Sequence, residues 1–233
     1  MTNMKIKVCG MRDGENIRQV AALGVDYIGM IFWDQSPRYV AMIPTHAGII
    51  PDRADPSPLT PDLSPLTSHP APQRVGVFVD EMPQSIITRV VNFQLDVVQL
   101  HGHESPTLIR NLRATIDPDL RPAIQFWKAI SISSADDLKA CSDYEDCVDA
   151  FVFDTHCPSV GGSGRQFDWS ILDAYQGSVP FLLSGGIGPD DVQRVRTFRH
   201  PQCMGIDLNS RFEIAPAVKN VDRLRQFLAA LRT

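Results

Sequence analysis

Several side chains suited to acid–base chemistry on a small ligand stand directly after short apolar runs. Asp154 closes the run Ala150-Phe151-Val152-Phe153, and a run that short, rich in Val and Phe, predicts a buried strand. A loop with Gly161, Gly162 and Gly164 follows. A carboxylate at a strand end before a glycine loop is how an α/β protein presents a catalytic group. Cys9 closes an earlier run that begins at Lys5. Taken singly, Cys9 reads as a core thiol and Asp154 as a turn residue bonding its own backbone. Facing each other across a ligand, a thiolate and a carboxylic acid make an acid–base pair. Arg38, after the run Asp26 to Phe32, has the fork geometry to clamp a carboxylate, and equally that of a surface ion pair. Gln99 and His101 end the run from Asp96, where His101 also suits a core histidine bonded to backbone.

A second set points to an anion. Ser184-Gly185-Gly186-Ile187-Gly188 follows one apolar run, and Asp207-Leu208-Asn209-Ser210 ends another. Glycines let backbone N–H groups approach an anion closely, and Ser184, Asn209 and Ser210 add side-chain donors. The two loops together predict one phosphate site.

These groups need a scaffold that gathers strand ends. Apolar runs at 5–9, 26–32, 75–79, 96–100, 126–130, 150–154, 180–184 and 204–208 alternate with helix signals. Asp13 caps a helix that Gly24 closes, and further helices are predicted over 83–93, 104–114, 134–141 (capped by Ser134), 168–175, from Pro189, and over 218–231. Strand–helix alternation implies a parallel sheet. Eight units in 233 residues fit a single (β/α)8 TIM barrel, an α/β fold whose usual size is roughly 250 residues. An open doubly wound sheet is disfavoured, because no G-x-G-x-x-G follows the first run. One domain then spans 1–233. Residues 44–73 are its exception, a proline-rich insertion. Proline blocks helix interiors, so helix 2 is expected to be shortened or replaced by a flexible loop, with no regular helix from Pro51 to Pro72.

Composition narrows the function classes. The net charge of −5 and the lack of a Lys/Arg block argue against a nucleic-acid surface. No apolar run approaches the ~18 residues of a membrane span. The N-terminus lacks an apolar signal core, and five cysteines without a CxxC pair read as reduced thiols in a cytoplasm.

The segments Lys7-Val8-Cys9-Gly10-Met11, Ser36-Pro37-Arg38-Tyr39-Val40, Val75-Gly76-Val77-Phe78-Val79, Val98-Gln99-Leu100-His101-Gly102, Phe153-Asp154-Thr155, Gly161-Gly162-Ser163-Gly164, Leu183-Ser184-Gly185-Gly186-Ile187 and Gly205-Ile206-Asp207-Leu208-Asn209-Ser210 occur in this order. Together they resemble the phosphoribosylanthranilate isomerase family of tryptophan biosynthesis, over nearly the whole chain outside about 44–73. The resemblance implies a (β/α)8 barrel that uses neither metal nor cofactor. It implies Asp154 as general acid, Cys9 as general base and Arg38 against the anthranilate carboxylate. Gln99, His101, Gly162, Ser163 and Gly164 would bind substrate, while Ser184, Gly185, Gly186, Asp207, Asn209 and Ser210 would hold its phosphate. The partner would be a small phosphosugar, with no nucleic acid and no membrane, and the chain a monomer or homodimer. Two departures stand out. Arg211 replaces a glycine, and its side chain is expected to turn to solvent. The family's Pro-Gly-x-Lys-Asp reads Pro216-Ala217-Val218-Lys219-Asn220.

Other phosphosugar barrels explain less. An indole-glycerol-phosphate synthase needs strand-end lysines and a glutamate; Lys128 fits, but Cys9 and Asp154 are left without a role. An epimerase needs metal ligands that His101 lacks. A barrel that only binds a phosphorylated metabolite needs neither Cys9 nor Asp154.

Overall fold

The computed structural model describes residues 4–45, 48–51, 70–155 and 168–233. Eight parallel strands close a barrel: β1 (Lys5–Val8), β2 (Tyr27–Ile31), β3 (Gln73–Phe78), β4 (Val97–Leu100), β5 (Gln125–Ile132), β6 (Ala150–Thr155), β7 (Phe181–Ser184) and β8 (Cys203–Leu208). Each pairs with its sequence neighbours, and β8 returns to β1 with Lys7 beside Asp207 in register. All eight coincide with predicted runs to within about two residues at either end.

Side chains alternate along each strand. Ile6, Val8, Ile28, Met30, Val98, Leu100, Phe151 and Phe153 belong to the outer core under the helices. Cys9, Tyr27, Val75, Val77, Val97, Trp127, Ala129, Val152 and Leu182 form a separate inner core. Trp127 is fully buried there, edge-on to Tyr27 with ring centroids 4.9 Å apart. An aromatic pair of that geometry adds about 0.5–1.5 kcal/mol beyond the area it buries. The inner parity of the strands therefore fills the barrel and leaves the strand ends to the site.

Helices α1 (Gly14–Ala21), α2 (Pro83–Phe93), α3 (Pro106–Ile116), α4 (Val192–Thr197) and α5 (Val221–Arg232) cover the outside. The Asp13 carboxylate caps α1 by accepting from the Asn16 N–H, as its sequence predicts. Helix α3 begins later than expected, because the Ser105 side chain supplies the cap and the Glu104 carboxylate turns inward to Lys128.

Three expectations are corrected. The segments after β5 and β6 are 3₁₀ turns, Ala135–Asp143 and Trp169–Ala174. In the first, Asp137 draws in the N–H groups of Ser133 and Ser134, each at 2.8 Å, and tightens the turn that Ser134 was expected to cap. The closing helix starts at Val221. Val218–Lys219 instead pairs antiparallel with Glu213–Ala215, and the Asn220 side chain caps α5 through the Arg223 N–H. Between β2 and β3, Met42–Thr45 and Gly48–Pro51 form an antiparallel hairpin where a loop was expected from Pro44. No helix lies between β2 and β3 among the described residues, and the flexibility expected of 44–73 falls for the most part on 52–69, outside them.

Candidate active site

A cavity of about 700 Å³ opens at the C-terminal ends of the strands. Cys9, Gln99, His101, Asp154, Ser184, Gly185, Gly186, Asp207, Asn209 and Ser210 all line it. Gly162, Ser163 and Gly164 lie outside the described residues.

The Cys9 thiol sits on the inner side of β1, packed against Gly29 of β2, where a Cβ would come within 2.8 Å of its sulfur. Lys7, two residues earlier on the same side, is fully buried. Its ammonium donates to Asp207 Oδ2 at 2.7 Å, and its charge acts on the Cys9 side chain. Burial alone would lower the Lys7 pKa, but Asp207 and Cys9 outweigh it, so the ammonium stays charged. Burial pushes the Cys9 thiol up, and Lys7 pulls against that rise.

Asp154 ends β6 beside Ser184 of β7 in register. Its Oδ2 lies 3.7 Å from His101 Nε2. Burial holds the His101 imidazole below its ordinary value, opposed by Asp154, so the ring is neutral at pH 7. Gln99 is buried with its Oε1 unpaired among the described residues, an acceptor left for a ligand donor.

The anion loops lie at one end of the cavity. Gly185 and Gly186 take left-handed conformations at φ +99 and +67, which turn their backbone over the cavity, and a Cβ on Gly186 would meet nothing within 4 Å. Asn209 Oδ1 accepts from the Lys219 ammonium at 2.8 Å.

Two residues take other places than expected. Asp207 was counted with the phosphate groups, yet its buried carboxylate is the counter-ion of Lys7 and would repel a phosphate. Arg38 was expected to clamp a ligand carboxylate. Its guanidinium instead grips Glu213, Nε to Oε1 at 2.8 Å and Nη2 to Oε2 at 2.6 Å. Glu213 also receives Lys219 at 2.6 Å. Burial would raise the Glu213 carboxyl, but the hydrogen bonds from Arg38 and Lys219 hold it below its usual value.

Arg211 is corrected as well. Its side chain, though exposed, lines the cavity and lies alongside Gly188, where a Cβ would sit 3.1 Å from the guanidinium Nε. Residues 210–212 form a 3₁₀ turn, so Arg211 needs no left-handed backbone. Ala217 does take one, at φ +68, and is buried. Lys128, the strand-end lysine, is tied to Gly102 O at 2.6 Å and to Glu104 at 3.2 Å, and is not free for catalysis. Among the described residues, no group of three or more His, Cys, Asp or Glu could hold a metal ion.

Sequence reasoning did not single out Lys7, Glu213, Lys219, Trp33 or Arg194, although the last two also line the cavity. The one local signal was parity, which puts Lys7 on the same strand side as Cys9.

This arrangement has counterparts. Residues 6–230 match the family model described as N-(5'phosphoribosyl)anthranilate (PRA) isomerase. The chain belongs to this isomerase family. A relative of that name from Parabacteroides distasonis is 43% identical, over 97% of this chain and 92% of the relative. One from Phocaeicola vulgatus is 40% identical, over 98% of each. The solved phosphoribosyl anthranilate isomerase of Thermotoga maritima superposes with a TM-score of 0.75 at 28% identity, over 99% of each chain. A second solved structure, at TM-score 0.73 and 26% identity over 99% of each chain, holds reduced 1-(o-carboxyphenylamino)-1-deoxyribulose 5-phosphate. Family membership makes the chain an isomerase, and none of its described helices is long and apolar enough to cross a membrane.

Proposed function

We propose that the chain converts N-(5-phosphoribosyl)anthranilate to 1-(2-carboxyphenylamino)-1-deoxyribulose 5-phosphate in tryptophan biosynthesis, with Asp154 as acid and Cys9 as base. The observation that carries this reading is the single cavity shared by Cys9, Asp154 and both glycine-bearing anion loops. The phosphate rests on the backbone N–H groups of Gly185 and Gly186, with Ser184, Asn209 and Ser210 beside them. Asp154 gives its proton to the ribose ring oxygen as the bond from that oxygen to C1 breaks. The aniline nitrogen lone pair follows, and C1=N⁺ forms. Cys9, as thiolate, takes the proton from C2. The C–H pair becomes the C1=C2 bond, and the C=N pair returns to nitrogen. Tautomerisation of the enol gives the 2-ketone. The sequence moves protons only, so atoms and electrons balance without an external oxidant or reductant. Neutral His101 and buried Gln99 orient the ribose hydroxyls.

Arg211, at the cavity mouth, adds a charge-assisted hydrogen bond to the phosphate. The partner is this phosphosugar alone, and the working form is a cytoplasmic monomer or homodimer. Decay of phosphoribosylanthranilate fluorescence on adding purified protein tests the assignment. Absence of any acceleration over the spontaneous rate overturns it.

A further inference from the structure

We propose that Lys7 is a positioning residue that holds Cys9 as the thiolate, and that Asp207 fixes Lys7 in that place. The inference rests on the reading of Cys9 as the base. Lys7 and Cys9 stand two residues apart on β1, both on its inner side, and the lysine is fully buried. Its ammonium is bonded to Asp207, which lines the same cavity as Cys9. The pairing follows from the sheet, because β1 and β8 place Lys7 and Asp207 side by side in register.

The chemistry asks for such a cation. A buried thiol is driven to its neutral form, which is no base for a C–H proton. A fixed, buried ammonium acts on the thiolate with little solvent screening. The other charges that act on the sulfur are Lys219 beyond β8, Arg38 after β2, and the Asp207 carboxylate, whose sign is wrong. On the β2 side the sulfur packs against Gly29. In turnover the thiolate accepts the C2 proton, and the S–H bond forms as the C–H bond breaks. Lys7 keeps its own proton throughout.

A purely structural Lys7 would neutralise Asp207 and do nothing to the thiol. The two roles separate in the alkylation of Cys9 by iodoacetamide, measured on the full chain from about pH 6 to about pH 10 and quantified on the Cys9 peptide. Loss of a neighbouring cation moves a pKa by about 1–3 units, so Lys7→Met should slow alkylation at neutral pH by about tenfold to a thousandfold. The acidic limb of its kcat/KM profile should move up by the same interval. An unshifted midpoint in folded Lys7→Met overturns the inference. Should Lys7→Met fail to fold, Asp207→Asn decides, because a Lys7 no longer fixed beside the sulfur must let the midpoint rise; an unchanged or lowered midpoint overturns the inference. Cys9→Ala, assayed alongside, keeps the two readings apart. Turnover by Cys9→Ala sinks Cys9 as the base, whereas an inactive Cys9→Ala with an unshifted Lys7→Met sinks Lys7 alone.

Discussion

Gly29→Ala should inactivate the protein through one methyl group. Gly29 lies in β2 beside the inner face of β1, and a Cβ there would stand 2.8 Å from Cys9 Sγ, 3.1 Å from Cys9 Cα and 3.3 Å from Cys9 Cβ. Comfortable carbon contacts lie near 3.5–4.0 Å, so the sulfur overlaps by about 1 Å. The backbone of Gly29 is not left-handed, so the effect is steric alone. Either the thiol swings away or the two strands part. Overpacking of this kind costs about 1–3 kcal/mol, equivalent to a fall in Tm of about 2–12 °C for a chain of this size. The catalytic cost is larger, since a displacement of about 1 Å at a reacting atom is worth about 10² in rate. Steady-state kinetics and thermal melting on the same preparation give both numbers. A variant with kcat within about threefold of wild type would refute the reasoning, because it would place the sulfur away from the Gly29 face or away from the chemistry.

Cys9→Ser and Asp154→Asn should each lose about 10²–10⁴ in kcat with little change in Tm; retention of more than about a tenth of wild-type kcat in either variant contradicts its assigned role. Arg211→Gly should raise KM and the inhibition constant of inorganic phosphate by about tenfold, the worth of one charge-assisted bond, and unchanged constants would place the guanidinium outside the anion site. His101, held below its ordinary pKa by burial, binds its proton more weakly folded than unfolded. Its contribution to stability is full above about pH 6.5 and is lost as pH falls below it. Melting temperatures of His101→Gln should therefore depend less on pH between about 6.5 and 5 than those of the parent; an equal or steeper slope shows that the imidazole titrates freely.

The barrel was legible because its strands are buried on both faces. Such strands read as plain apolar runs, and the helices between them carry local stop and start signals in Asp13, Pro83 and Pro189. What misled was local competition that patterning does not weigh. Asp137 accepts the backbone N–H groups of Ser133 and Ser134 just before the 3₁₀ turn Ala135–Asp143. The antiparallel pairing of Glu213–Ala215 with Val218–Lys219 takes the first turn expected for α5. In the site, groups at strand ends were found from position alone, Cys9, Asp154, Gln99, His101 and Ser184 among them. The pairings between groups far apart along the chain were not. Arg38 meets Glu213 across 175 residues, and Lys7 meets Asp207 across 200. Only closure of the sheet sets those distances. Arg211 was expected to face solvent because its neighbour across the cavity mouth, Gly188, belongs to another loop.

The strict alternation of inner and outer side chains limits how this chain can change length. On β1 the order is Ile6 out, Lys7 in, Val8 out, Cys9 in. One residue inserted before Ile6 would turn the lysine and the thiol toward the helices and drive Ile6 and Val8 into the cavity, since every side chain beyond the insertion changes face. Drift in length is thus confined to the connections between strands, and the hairpin between β2 and β3 occupies such a connection. Related chains should accept insertions and deletions at 41–72 freely and show none within 5–9, where a single codon gained would turn Cys9 from the cavity and break the inner packing together.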